Sequence, residues 1–228
     1  MVSWVPNLLS YWDEFIQALN DTWQMFFISG AISLVLGFVF GVILIACKEG
    51  GISPNKVVYT IVSAVINVFR SIPFIILLIF LIPFTRLIVQ TAIGVKGAIV
   101  PLVFGTVPFY TRLVETALEN VDEGKVEAAR AMGISNLDII WRVYIHEAVP
   151  ELIRVTTTTA ISLIGLTTMA GAVGAGGIGS FAINFGQSLH NQDIVNVCVL
   201  ILLVVVTVIQ TLGNYLSKKT INRELIRK

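Results

Sequence analysis

The chain has 228 residues, of which 56% are hydrophobic and only 13% are charged, and its mean hydropathy is +0.87. Because an average soluble domain carries about 25% charged residues, this composition excludes an ordinary soluble globule and favours an integral membrane protein. The net charge of +1 provides no basic excess, so nucleic acid is not expected as a partner.

The first predicted element is an amphipathic helix over residues 6–20. Its apolar residues recur at helical spacing: Leu8, Trp12, Phe15, Ile16 and Leu19. Such a helix lies on a membrane surface with its tryptophans at the lipid interface. We expect it to anchor the chain to membrane lipid, and a partner-binding role is the alternative.

Five charge-poor segments then follow, each long enough to cross a bilayer, for which about 20 apolar residues are needed. They cover residues 22–47, 57–85, 87–111, 152–172 and 194–217. The sequence therefore predicts an all-α integral membrane protein in which residues 1–228 form a single transmembrane domain of five helices.

The distribution of Lys and Arg predicts the orientation, because these residues accumulate on the cytoplasmic side. An N-out, C-in arrangement leaves only Arg86 and Lys96 in the outer segments. The inner segments would then hold the other basic residues considered: Lys48, Lys56, Arg112, Lys125, Arg130, Arg142, Arg154, Lys218, Lys219, Arg223, Arg227 and Lys228. The charged island at 112–154 is therefore predicted to be cytoplasmic.

Within the second predicted span, Arg70 is the only charged residue. An ionisable residue inside a span usually faces a cavity or a partner, although its long side chain can also reach the interface. Pro73 follows closely and predicts a bend in the helix. Both residues are candidates for a transport pathway or its gate.

The charged island contains a predicted hairpin at 119–147. Residues 122–132 are rich in helix formers, Gly133 is placed to end that helix, and Ser135 is placed to cap the next one. Leu137, Ile140, Val143 and Tyr144 are expected along one face of the second helix. Two helices with such clear ends favour docking into a groove of another protein over a solvated loop.

No chemistry is predicted on the chain itself. "GAGGIG" at 174–179 has the spacing of a dinucleotide fingerprint, but a span precedes it instead of a strand, which favours a tight connection. The Walker A pattern is absent, so the sequence shows no ATP site on this chain. His146 and His190 have no neighbour at metal-ligand spacing. We therefore predict no catalytic residue and no metal or cofactor site.

The stretch "EAARAMGISNLDIIWRVYIHEAVP" at 127–150 resembles the EAA signature of permease subunits of ATP-binding-cassette importers. That signature is E-A-A, three residues, G, nine residues and I-x-L-P. Glu127, Ala128, Ala129 and Gly133 match in place, and Val143 and Ile145 are conservative replacements. His146 stands where the family has proline, which is a departure.

The resemblance extends to "NVFRSIPFIILL" (67–78), "IPFTRLIV" (82–89) and "MAGAVGAGGIG" (169–179), which are similar to methionine-importer permeases of the MetI type. It implies a type I importer permease fold in the bacterial cell membrane, with two copies forming the pathway. It also implies two partner ATPase subunits that bind ATP and Mg, and an extracellular methionine-binding protein or lipoprotein. The cargo would be methionine, with both stereoisomers as candidates.

The same resemblance assigns roles to residues. Glu127, Ala128, Ala129, Arg130 and Gly133 would couple the permease to the ATPase. Met169 would form part of an outer gate, with ordinary packing as the alternative, and Arg70 would face the dimer axis or brace the second span.

Three other functions stay open. The first is the same machine with another amino acid or an osmolyte as cargo. The second is an ion-coupled secondary transporter. Such proteins usually contain a two-fold internal repeat, and five spans do not provide one. The third is a membrane scaffold that transports nothing.

Overall fold

The computed structural model describes the backbone of residues 6–226 and the side chains of residues 7–221. Arg227 and Lys228, and the side chain of Arg223, were used to predict the orientation and lie outside this described part. Residues 6–226 form helices joined by turns and contain no β-strand, which confirms the predicted all-α class. The α-helices are α1 (Pro6–Ser10), α2 (Trp12–Cys47), α3 (Lys56–Ser71), α4 (Phe74–Phe80), α5 (Ile82–Val89), α6 (Gly94–Glu119), α7 (Glu123–Ala131), α8 (Asn136–Ile139), α9 (His146–Ala170), α10 (Gly177–Phe181) and α11 (Gln192–Ile226). π-Helical segments cover Ile140–Ile145, Gly171–Ala175 and Ala182–Gln187.

Several of these helices can cross a bilayer. Within residues 6–226, four helical stretches are long and apolar enough to do so: α2, α6, Asn136–Ala175 and Gln192–Ile221. Helices α3 and α4 meet the same criterion only as a bent pair, which raises the number to five if the pair is one span. The protein is therefore a multi-pass membrane protein.

The N-terminal helices differ from the prediction. A surface helix over 6–20 was expected to be separate from a first span at 22–47, but α1 ends at Ser10 and α2 runs unbroken from Trp12 to Cys47. Residues 12–29 contain neither Gly nor Pro, so the backbone offers no position at which the helix would break. The predicted boundary near residue 20 is thus corrected.

The segment predicted as one span at 57–85 is divided into α3, α4 and part of α5. Pro73 has no N–H group to donate and disfavours a helical conformation at Ile72, which explains the first break. The next helix, α6, extends to Glu119, whereas the prediction ended it at residue 111. The charges beyond residue 111 are accommodated because Arg112 pairs with Glu115.

The last two predicted spans lie inside longer helices. Residues 152–172 belong to a helical stretch that begins at Asn136 and reaches Ala175, and residues 194–217 belong to α11. The hairpin predicted at 119–147 therefore has no separate second helix, because that helix continues into α9. Ser135 caps its start, and no glycine lies between residues 134 and 164 to end it.

The chain divides into two compact units. The first comprises the described part of Met1–Ile32 with Ile72–Gly105 and Ala160–Ile209. One apolar cluster in this unit contains the fully buried Met25 and Ala170. A second cluster contains Phe15 and Phe181, whose ring centroids are 5.5 Å apart. The start of α2 therefore packs against α10.

The second unit comprises Ser33–Ser71, Thr106–Thr159 and the described part of Gln210–Lys228. Its apolar cluster includes Val114, Leu118 and Ile139. A polar network also ties α3 to α6: the Arg112 guanidinium donates to Glu115 at 2.6 Å, to Asn67 Oδ1 at 3.0 Å and to the Ser63 hydroxyl. Because the charges of Arg112 and Glu115 are mostly buried, their pairing is needed for the helices to pack.

Candidate functional site

The candidate site is the hairpin formed by α7, the turn at Gly133 and the start of α8. Helix α7 is capped at its start by Asp122, whose carboxylate accepts a hydrogen bond from the Gly124 N–H at 2.8 Å. It ends at Gly133, which has φ of +73°. The Gly133 N–H donates to Arg130 O at 2.9 Å and the Ile134 N–H donates to Ala129 O at 3.2 Å. These two bonds form a Schellman motif, so the predicted helix stop at Gly133 is confirmed.

The second helix of the hairpin begins as expected and then changes register. Ser135 caps it by accepting a hydrogen bond from the Asp138 N–H at 3.2 Å. A π-helical segment at Ile140–Ile145 follows, and its wider turns shift the face that is buried. Ile139 and Tyr144 are buried, whereas Leu137, predicted to lie on the same face as Tyr144, is 70% exposed.

The residues that the resemblance assigned to coupling have two different environments. Glu127 and Ala128 are exposed, so a partner can reach them. Ala129 is buried in the apolar cluster, and the Arg130 guanidinium donates to the Gly51 carbonyl at 2.6 Å. Ala129 and Arg130 therefore hold the hairpin against its own chain, while Glu127 and Ala128 face outwards.

Sequence reasoning missed the most prominent feature of the hairpin. Met132 is 71% exposed, Leu137 70% and Trp141 63%, and we call these three side chains the apolar trio. Three large apolar side chains exposed within one charged segment make the hairpin a candidate interaction surface. A Trp four residues after a Leu, amid charged neighbours, was the signal available in the sequence.

Ion pairs and polar contacts fix the hairpin from several sides. Lys125 Nζ lies 2.5 Å from Glu147 Oε2, and Asn136 Nδ2 donates to Ser53 Oγ at 3.2 Å. Exposed ion pairs of this kind contribute little singly, so the buried Val126 and Ala129 supply most of the attachment.

A cavity of about 300 Å³ lies beside α7, lined by Lys48, Glu49, Gly50, Glu119, Val121, Glu123, Val126, Glu127, Arg130 and Tyr144.

The gate candidates lie on three different helices or their ends. Met169 is in the last turn of α9 and is 40% exposed. Pro73 caps the start of α4; its neighbour Phe74 and Met169's neighbour Ala170 belong to the same apolar cluster of the first unit. Arg70 is exposed in the last turn of α3, where a cation suits the helix dipole.

The glycine-rich segment after α9 is a tight turn. Gly174, Gly176 and Gly177 have φ between +80° and +94°, a region that favours glycine. A Cβ at Gly179 would lie 2.1 Å from the Thr168 carbonyl oxygen. Glycine therefore permits the close backbone approach that the sequence predicted.

Among the residues that the structure describes, no group of three or more His, Cys, Asp or Glu could hold a metal ion.

Comparisons with known proteins give consistent matches over most of the chain. Residues 33–222 match the family described as binding-protein-dependent transport system inner membrane component. The chain is 41% identical over 208 residues to the probable D-methionine transport system permease protein MetI of Vibrio cholerae, covering 90% of this chain and 92% of that one. It is 44% identical over 175 residues to the methionine import system permease protein MetP of Bacillus subtilis, covering 77% and 79%. A chain from a structure of inward facing conformations of the MetNI methionine ABC transporter matches with a TM-score of 0.89 and 41% identity, covering 92% of this chain and 98% of that one.

Proposed function

This chain belongs to the family of binding-protein-dependent transport system inner membrane components, and from that premise we propose that it is the permease subunit of an ATP-driven importer that moves methionine into a bacterial cell. The identification of methionine as the cargo rests on one observation: relatives named for methionine transport are similar to this chain over 77–90% of its length. The cargo is L-methionine, D-methionine or both.

The proposed topology has five spans, with the N-terminus outside and the C-terminus inside. The bent pair of α3 and α4 counts as one span, and the four long helical stretches supply the others. The excess of Lys and Arg in the segments assigned to the inside supports this orientation. The hairpin around Gly133 then lies in the cytoplasm, and the glycine-rich turn lies at the outer side of the bacterial cell membrane.

Two copies of the chain form the pathway, and two ATPase subunits, which bind ATP and Mg, dock on the hairpins. The apolar trio supports this assignment, because the free energy falls when a partner covers apolar side chains that were exposed to water. Glu127 and Ala128 lie on the same exposed hairpin and contact the ATPase beside the trio. An extracellular methionine-binding protein or lipoprotein delivers the cargo.

The pathway residues follow from the same model. Met169 contributes a flexible apolar side chain to the outer gate, and this side chain is 40% exposed. Pro73 sets the break between α3 and α4 beside which Arg70 lies. Arg70 then faces the axis between the two copies or braces the second span.

The test is reconstitution of the permease in vesicles with its ATPase and its binding protein. We expect uptake of labelled methionine that requires ATP and ceases when the ATPase is left out. Uptake driven by an ion gradient without any ATPase would contradict the proposal and favour a secondary transporter. Uptake of another amino acid in place of methionine would keep the machine and change its cargo.

A further inference from the structure

The glycine-rich turn is held by two adjacent side chains of α2. Thr22 is buried, and its hydroxyl donates to Ala18 O at 2.9 Å while accepting a hydrogen bond from the Ile178 N–H at 2.9 Å. The carboxylate of Asp21 lies against the neighbouring Gly176. Two consecutive side chains of α2 therefore contact the start of α10 and the residue before it.

The approach of α2 to the turn is close enough to require glycine. A Cβ at Gly176 would lie 2.9 Å from Asp21 Oδ2, and one at Gly177 would lie 2.8 Å from Thr22 Oγ1. Both glycines also have positive φ, of +83° and +80°. The turn is thus shaped to receive these two side chains.

The contact continues from the turn to the end of α9. A Cβ at Gly179 would lie 2.1 Å from Thr168 O, and one at Gly171 would lie 2.7 Å from the Ser180 nitrogen. Thr168 immediately precedes Met169, so the turn packs directly on the helical turn that carries Met169. A displacement of the turn would therefore also change the position of Met169.

Other contacts widen this attachment. Phe15 packs against Phe181 of α10, and the Asn7 side chain and backbone N–H both donate to the Asp193 carboxylate, at 2.9 and 3.0 Å. The buried side of the N-terminal helices thus contacts protein, whereas Trp12, on another side, is 48% exposed.

We propose that Asp21 and Thr22 are positioning residues, which fix the glycine-rich turn and, through it, the end of α9 that carries Met169. Helix α2 then supports the pathway, in addition to any role in anchoring the chain to lipid. The consequence for transport rests on the proposed function, whereas the positioning itself does not.

Hydrogen exchange of the segment 171–181 in the assembled transporter tests the positioning. In Thr22→Val the Ile178 amide loses its acceptor, and a buried amide without a partner is costly. We expect its exchange to become about tenfold faster, which corresponds to about 1.4 kcal/mol. Thr22→Ser keeps the hydroxyl and should exchange like the unsubstituted protein. Thr159→Val is the matched control, since Thr159 is also buried and bonds back to Val155 O of its own helix.

Asp21 provides an independent pair of variants in case Thr22→Val fails to insert. Asp21→Ala removes the carboxylate that lies against Gly176 and should raise exchange in the same segment, whereas Asp21→Asn keeps a side chain of the same size and should restore protection. Unchanged exchange in both Thr22→Val and Asp21→Ala would overturn the proposal. So would equally fast exchange in Thr22→Ser or in the Thr159→Val control.

Methionine imported per ATP hydrolysed is the functional measurement. Thr22→Val and Asp21→Ala should lower this ratio, with the conservative variants restoring it. Faster exchange with an unchanged ratio would overturn the positioning role in transport. If the unsubstituted transporter imported no methionine, the proposed function would fail, and the exchange data would still decide whether these two residues hold the turn.

Discussion

Replacing Trp141 with alanine is expected to weaken binding of the ATPase subunit more than any other single change in the apolar trio. Trp141 is 63% exposed, and a Trp side chain offers up to about 250 Å² for burial. About 160 Å² is therefore available to a partner, which at about 25 cal/mol per Å² is about 4 kcal/mol. Because buried area converts only partly into affinity, we expect a loss of about 2–4 kcal/mol, or about 30-fold to 1,000-fold in Kd.

The measurement is titration of purified ATPase subunit against the permease in lipid nanodiscs, with Kd as the readout. Stimulation of ATP hydrolysis by the permease provides a second readout in the same samples. Trp12→Ala is the matched control, because Trp12 is also partly exposed, at 48%, but lies at the start of α2 away from the hairpin sequence. Its Kd should equal that of the unsubstituted permease.

A Trp141→Ala permease that bound the ATPase with unchanged Kd would refute the docking argument for this side chain. Equal losses in Trp141→Ala and Trp12→Ala would also refute it, since they would indicate a general effect on folding. Circular dichroism of both variants in nanodiscs distinguishes a local loss of contact from a loss of helix.

Three further substitutions test the turns and the buried ion pair. Gly133→Ala places a Cβ at φ of +73°, which should cost about 1–2 kcal/mol and increase hydrogen exchange in the hairpin; an equal cost for Gly133→Asn, which tolerates this conformation better, would contradict the backbone argument. Gly179→Ala forces a Cβ to 2.1 Å from Thr168 O, so the thermal midpoint should fall by the equivalent of about 1–3 kcal/mol, and an unchanged midpoint would show that the turn is not tight. Glu115→Gln leaves the mostly buried Arg112 charge without its partner and should lower the free energy of unfolding by about 3–5 kcal/mol. Adding Arg112→Met should reduce this loss. Strictly additive losses in that double-mutant cycle would mean that the pair is not coupled.

Much of the fold could be predicted because the bilayer makes simple demands. Long charge-free runs need to be helical in lipid, since every backbone group must be satisfied within its own segment. The end of α7 and the start of the helix after it could equally be predicted, because Gly133 and Ser135 act through their own local chemistry. These features depend on a few neighbouring residues, and a single sequence contains that information.

What could not be predicted depends on contacts between distant residues and on a break in the helical period. The extension of α6 past residue 111 needs the Arg112–Glu115 pair and the acceptors on α3, and no local pattern identifies Asn67 as one of them. The exposure of Leu137 follows from the π-helical segment, which breaks the helical period that the prediction assumed. The contact of α2 with the glycine-rich turn could not be predicted, because Thr22 and its partner Ile178 are 156 residues apart along the chain.

The turn at Gly133 also bears on how such hairpins can diverge. Nothing lies within 4 Å of the position that a Cβ would occupy there, so the turn owes its shape to its own hydrogen bonds and to a positive φ. A turn that is independent of its surroundings allows the side chains around it to be exchanged without redesigning the backbone. The side chains that the hairpin displays, such as Trp141, can therefore be substituted without altering the turn that presents them.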